Sequence, residues 1–323
     1  MSKKTILVTG GSGFIASHLV DRLVDLDYFV INLDKLDYCS YNNTLDIEGK
    51  YKFIQGNLNN LELLRHLFKI YEIDTVFHLA AQTHVDNSFY NSLSFTYDNI
   101  SGTHTLLEVC REYGKLQRFI HMSTDEVYGE VKMSDKIKTE ESLLMPTNPY
   151  AATKAGAEML VNAYYMSFKL PVIIIRCNNV YGPRQYPEKV IPAFIYNLLN
   201  NNKCSIHGDG NNERHFLYVS DAIEAFMTIW NKGEINNIYN IASQDTSIKI
   251  IKLAKLLIRK LKDKPDNTDN YIEHVEDRKF NDLRYYISSD KLNNMGWVPR
   301  VKFTEGLNLT IEYFKSKVLE NKN

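Results

Sequence analysis

Thr5-Ile6-Leu7-Val8-Thr9-Gly10-Gly11-Ser12-Gly13-Phe14-Ile15-Ala16 decides the fold. A short β-branched run ends in a glycine-rich turn, and Phe14 and Ile15 then open a segment of helical period. Strand, tight turn and helix in that order are what a dinucleotide-binding fingerprint requires. Gly10 and Gly13 let the backbone approach a pyrophosphate, whose charge the free N–H groups of the helix N-terminus stabilise. Ala16 stands where a third glycine is often found and still permits close helix–strand packing. Asp34 follows at the end of the second candidate strand, where its carboxylate can accept from ribose hydroxyls and would repel a 2′-phosphate. NAD is therefore expected over NADP, with Lys35 the adjacent cation that would suit the phosphate.

Outward from this turn, β-branched runs alternate with longer helical segments, which predicts βαβ units, an α/β fold and a parallel sheet. Strands are expected at 5–9, 29–33, 51–55, 75–79, 118–123 and 172–176, with helices at 13–26, 60–70, 91–113 and 148–169. After Tyr181-Gly182-Pro183 the alternation breaks, and Pro183, Pro187 and Pro192 mark a loop-rich passage. The expected division is 1–180 for the cofactor and 181–323 for a smaller mixed lobe, with some segments returning to the first. Helices are expected there at 220–230, 248–261 and 304–315, and short strands near Ile206 and at 238–241. A polar loop at 262–270 and a frayed tail at 317–323 complete the reading.

The 323 residues carry 38 Lys+Arg against 39 Asp+Glu, a net charge of -1, which gives no support for whole-surface attraction to nucleic acid or an anionic membrane. A small molecule is the expected partner. Cys39, Cys110, Cys177 and Cys204 show no metal-ligand spacing, so no metal is expected and the thiols read as reduced. With no apolar run suited to a signal peptide or a membrane span, a cytoplasmic enzyme is expected.

The chemistry lies in Ser123-Thr124-Asp125-Glu126-Val127-Tyr128-Gly129 and Tyr150-Ala151-Ala152-Thr153-Lys154. Tyr150 and Lys154, four apart on a helix, project from one face, so the ammonium can favour the ionised phenol. Ionising a phenol near pH 7 takes roughly 4 kcal/mol. A cation about 4 Å away supplies a similar amount at an effective dielectric of ~20, before desolvation is subtracted. Lys154 alone is marginal, and the positive ring of oxidised NAD would add to it. Thr124 can hold the same substrate hydroxyl. Asp125 and Glu126 are more acid–base equipment than alcohol oxidation needs. If a sugar is oxidised at C4, one carboxylate can remove the acidified C5 proton and the other can protonate the departing C6 hydroxyl.

At these residues the chain resembles the nucleotide-glucose 4,6-dehydratases of the extended short-chain dehydrogenase/reductase family, from about residue 4 to residue 313. The resemblance implies a Rossmann-type doubly wound parallel sheet with a smaller mixed C-terminal substrate-binding lobe. It implies Tyr150 as base, Lys154 as its helper, Thr124 as the hydroxyl, Asp125 as acid and Glu126 as C5 base. Gly10, Gly13, Phe14, Ile15, Asp34, Lys35, Asn57, Leu58, Ala80 and Ala81, with Tyr150 and Lys154, would hold NAD. His84, Ser88, Asn179, Glu188, Lys189, Arg214 and Arg278 would hold the substrate, the two arginines matching diphosphate oxygens.

The wording of 13–17, 33–40, 82–88 and 178–181 is similar to the dehydratase domain of UDP-rhamnose synthases and implies UDP-glucose, with dTDP-glucose as the alternative. Two positions depart from the family: Asn57 stands where an adenine-contacting Asp is usual, and Lys279-Phe280-Asn281 replaces a Pro-Gly-His-type run. A 4-epimerase on the same scaffold and a non-catalytic nucleotide sensor are the competing readings. The family also implies a homodimer through the helices at 91–113 and 148–169, where Leu107, Ala157 and Val161 are equally explicable as ordinary core residues.

Overall fold

The computed structural model describes residues 4–243, 247–263 and 265–320, and at its centre lies a seven-stranded, wholly parallel sheet. The first part of the chain supplies β1 (Thr5–Thr9), α1 (Phe14–Asp25), β2 (Phe29–Asp34), β3 (Tyr51–Gln55), α2 (Leu61–Ile70) and β4 (Ile73–His78). Then come α3 (Val85–Tyr90), α4 (Ser92–Phe95), a π-helical segment at Thr96–Ser101, α5 (Gly102–Tyr113), β5 (Arg118–Thr124), α6 (Pro149–Phe168) and β6 (Val172–Cys177). The expected helix at 91–113 is thus one continuous run with a π segment inside it.

The remainder supplies β7 (Asn179–Tyr181), α7 (Val190–Leu199), β8 (Cys204–His207), β9 (Glu213–Arg214), β10 (Phe216–Tyr218), α8 (Val219–Lys232) and β11 (Asn237–Ile241). β12 (Ile248–Lys249), α9 (Ile250–Leu261), β13 (Ile272–Val275), α10 (Asp290–Asn293) and α11 (Phe303–Glu320) follow. Three two-stranded pairs, β7 with β10, β9 with β12 and β8 with β13, build the smaller region.

Sheet order is β11-β6-β5-β4-β1-β2-β3. Because its strands are covered on both faces, they read as continuous apolar runs, and all six residues of β6 are buried. Alternation divides them: Leu7, Ile31, Val76, Phe119 and Ile174 face Leu64, Leu106 and Val161 of α2, α5 and α6. Ile6, Val8, Phe77, Ile120 and Ile173 belong with Leu19, Leu23, Phe226 and Trp230 of α1 and α8. Strand order reverses between β1 and β4, which opens a crevice beyond their carboxyl ends. β11 returns from the C-terminal half to extend this sheet beside β6.

Three sequence expectations change. The loop-rich passage contains α7, whose Pro192 sits in its first turn, where no intrahelical donor is needed. Apolar almost throughout, α7 carries no helical period to detect. The expected tail is helical through Glu320, and residues 321–323 lie outside the described residues. In the expected loop at 262–270, a 3-10 turn begins at Thr268, and residue 264 is outside the described residues. Leu107, Ala157 and Val161 are fully buried within the chain, which bears out their reading as core residues. Leu93, Tyr97, Met159, Met166 and Phe168 are the exposed large apolar side chains on those helical stretches. Among the described residues no helix is long and apolar enough to cross a membrane.

Candidate active site

The crevice at the strand-order reversal is a cavity of about 330 Å³. Gly10, Gly13, Phe14, Ile15, Asp34, Lys35, Asn57, Leu58, Ala80, Ala81 and Tyr150 all line it. Gly10 has φ +70, and a Cβ there would lie 2.7 Å from the Cα of Ala80, so the turn after β1 needs glycine to pass the turn after β4. Gly13 caps α1 without a side chain and leaves the first-turn amides facing the cavity. Asp34 is fixed by two backbone amides, accepting from Ser12 at 3.0 Å and from Leu36 at 2.8 Å. Lys35 Nζ lies 2.9 Å from Asp37 and 2.8 Å from Asp98, so its charge is already matched. That pairing removes the cation that favoured a 2′-phosphate. Asn57 Oδ1 accepts from the backbone of Asn59 at 2.9 Å and so serves its own turn.

At the floor of the crevice, the end of β5 and the start of α6 bring Thr124, Asp125, Glu126 and Tyr150 together. The Thr124 hydroxyl accepts from the Glu126 amide at 3.3 Å and caps the 3-10 turn that carries both carboxylates. Asp125 is 2% exposed, and its Oδ2 accepts from Asn178 Nδ2 at 2.6 Å. Burial, then the adjacent Glu126 charge, push its pKa up to about 7. Glu126 is also raised by burial, while Asn148, Arg214 and Lys189 pull it back. Asn148 Nδ2 donates to Glu126 Oε2 at 3.2 Å. Burial thus raises both neighbouring carboxyls, and each is met by its own amide partner.

Tyr150 is 7% exposed, and burial followed by the Glu126 charge raises its pKa, opposed by a hydrogen bond with Thr124. Lys154 is 4% exposed, and its Nζ donates to the Met122 carbonyl at 2.5 Å. Burial lowers its pKa to about 8. Lys154 is thus anchored to β5 through the Met122 carbonyl, and burial disfavours ionisation of the Tyr150 phenol. His78 and His121 are both buried, and burial, then the Lys154 charge, holds each imidazole well below its ordinary pKa.

A second cavity of about 300 Å³ opens from the first, and Glu126, Asn179, Glu188 and Lys189 line both. His84, Arg214 and Arg278 line the second. Glu188 Oε2 accepts from Tyr38 at 2.7 Å and lies 3.7 Å from His84 Nδ1. Lys189 Nζ donates to the Thr83 carbonyl at 2.8 Å. Arg278 makes a two-point ion pair with Asp86, at 2.8 and 2.9 Å. Arg214 donates to the carbonyls of Glu213 and Asp282 and stacks on Tyr285 at 4.8 Å. Ser88 stands apart, fully buried in α3 with its hydroxyl donating to Val85 O at 2.6 Å, and it lines neither cavity.

Sequence reasoning passed over Asn178, Asn148 and Tyr285. The asparagine that touches Asp125 is Asn178, and its neighbour Asn179 faces both cavities. Asn148 had a readable signal, since an Asn before Pro149 is a helix cap. Its Oδ1 accepts from Ala151 N at 2.8 Å, which leaves Nδ2 free to serve Glu126.

The sequence matches the GDP-mannose 4,6 dehydratase family over residues 7–310. It is 49% identical over 317 residues to a trifunctional UDP-glucose 4,6-dehydratase/UDP-4-keto-6-deoxy-D-glucose 3,5-epimerase/UDP-4-keto-L-rhamnose-reductase of Arabidopsis thaliana. That alignment covers 96% of this chain and 47% of the plant protein, so the chain spans about half of that relative's length. It is 47% identical over 327 residues to the dTDP-D-glucose 4,6-dehydratase of Homo sapiens, covering 99% of this chain and 92% of the human one. The crystal structure of a dTDP-glucose 4,6-dehydratase from Streptomyces venezuelae with NAD and TYD bound superposes with a TM-score of 0.90, at 35% identity and 97% coverage of each chain.

Proposed function

The chain belongs to the GDP-mannose 4,6 dehydratase family, and on that premise we propose that it is an NAD-dependent nucleotide-sugar 4,6-dehydratase acting on UDP-glucose. The observation that carries this reading is the pair Asp125 and Glu126, one held near neutrality and both packed with Thr124 and Tyr150. An epimerase needs no second acid–base pair. Bound NAD would take a hydride from the sugar's C4 and return it at C6, so that no cofactor is consumed.

The glycine turn, Asp34 and the turns after β3 and β4 would hold NAD. Tyr150 removes the C4 hydroxyl proton, with Thr124 holding that hydroxyl in line. Because burial keeps the phenol neutral, the proton leaves only when positive charge is beside it, and Lys154 supplies part of that charge from below. Glu126 then takes the C5 proton as C5=C6 forms. Asp125 gives its proton to the C6 hydroxyl, which departs as water. With hydride returned to C6, Glu126 gives its proton back to C5, and a 4-keto-6-deoxy sugar results, the class of intermediate from which rhamnose is made.

Incubation with NAD and either UDP-glucose or dTDP-glucose, followed by mass spectrometry and NMR, tests this. Loss of one water with a new C6 methyl signal is expected, faster with UDP-glucose. Faster turnover of dTDP-glucose, the substrate in the human relative's name at nearly the same identity, would move the assignment to that nucleotide. Unchanged mass with inversion at C4 would replace it with an epimerase. Glu126→Gln is expected to stop dehydration while C4 oxidation survives. We also infer a homodimer through the face bearing Leu93, Tyr97, Met159 and Met166; a single monomeric species on sedimentation at micromolar concentration would refute it.

A further inference from the structure

Tyr285 sits between the catalytic turn and the cavity that holds the two arginines, and the mechanism above does not use it. It is 5% exposed. Its one hydroxyl proton is shared between two carboxylates, donated to Asp282 Oδ2 at 2.5 Å and more weakly to Glu126 Oε2 at 3.4 Å. Asp282, 2% exposed, also accepts from the Thr147 hydroxyl at 2.9 Å on each oxygen. The Arg214 guanidinium covers the Tyr285 ring, and Arg214 in turn donates to the Asp282 carbonyl. A phenol locked in this way has one position and one orientation.

Oε2 of Glu126 therefore meets two fixed groups, the Asn148 amide and the Tyr285 hydroxyl. With that oxygen engaged, Oε1 is left to face the sugar. We propose that Tyr285, held by Asp282, is a positioning residue for Glu126, anchoring one carboxylate oxygen so that the other is aimed at the C5 proton. In that step the C5–H bond breaks, the proton forms an O–H bond on Glu126, and the electron pair stays with the carbon beside the new ketone. No further reactant is needed. Because Arg214 stacks on the same ring, an anion drawn to Arg214 bears on the seat of the base. Burial and the neighbouring carboxylates keep the phenol protonated throughout. The inference rests on the dehydratase reading.

The test compares the wild-type chain with Tyr285→Phe and Asp282→Asn, with NAD and the faster of the two nucleotide glucoses. Misplacing a base by a fraction of an ångström slows its step by about 10–100-fold. Both variants are expected to lose about that much in kcat with KM nearly unchanged, and to accumulate reduced nicotinamide, read from its near-ultraviolet absorbance. C4 oxidation should keep its wild-type burst, which shows a folded site. In a Glu126→Gln background, Tyr285→Phe should cost nothing more. Wild-type turnover in both variants would overturn the assignment. So would a burst lost in proportion to turnover, since the role would then be structural. A wild-type chain that forms no keto sugar would overturn the dehydratase reading itself.

Discussion

Asp125 and Glu126 share a turn, yet Asn178 and Asn148 treat them differently, because each amide reaches only one carboxylate. An acid that must be protonated near pH 7 loses effect as pH rises through its pKa of about 7, so dehydration is expected to fall on the alkaline side. The Asn178 hydrogen bond stabilises the ionised form, and its loss must raise that pKa. A hydrogen bond to a charged group is worth about 1.5–3 kcal/mol, or roughly 1–2 pH units. The alkaline limb of the kcat–pH profile of Asn178→Ala should shift upward by that amount. Thr124, Asp125, Glu126, Tyr150 and Lys154 were legible because each group is nearly contiguous in sequence. The partners of the two carboxylates were not: Asn178 lies 53 positions from Asp125 and Tyr285 lies 159 from Glu126, separations that only the folded sheet closes. Nor does spacing say where a lysine's amine ends, and Met122 O is a backbone group with no sequence signature.

At the scale of elements, the first βα turn is where sequence and structure agree in detail, since tight turns are specified locally. Gly10→Ala would force a methyl group against Ala80 at φ +70. We expect a loss of about 1–3 kcal/mol in stability, read by urea denaturation, together with weaker NAD binding by titration calorimetry. Helix α6 was legible from the strand–helix alternation, and its cap, Asn148 followed by Pro149, was a further signal that went unread. Asn148→Ala removes the cap, worth about 1 kcal/mol, and also a donor to Glu126. Its melting temperature should therefore fall modestly while kcat falls further than the folded fraction explains. α7 was missed because helical period is a surface property, and this helix packs apolar side chains on nearly every side.

Across the whole molecule, Glu158 of α6 and Arg176 of β6 form an ion pair at 2.6 Å, 1% and 3% exposed. Arg176 also donates to Tyr128 and covers its ring at 4.7 Å, which ties helix, sheet and the segment after the catalytic turn together. Replacing Arg176 by Met leaves the Glu158 charge buried alone, at a cost of about 3–5 kcal/mol; the urea midpoint should drop accordingly, and Glu158→Gln in the same chain should restore part of it. The alternation of strands and helices made the sheet legible, and β11 was visible as a strand. Its place was less so, because nothing in five residues says which edge they will join. That placement has a consequence in time. As the chain leaves the ribosome, β6 emerges with its outer edge open and four apolar residues, Val172 to Ile175, in a row, and it stays so until some sixty more residues have been made and Ile241 arrives. Such an edge is an invitation to pair with another nascent chain, so synthesis that pauses between Cys177 and Asn237 should yield aggregate rather than enzyme.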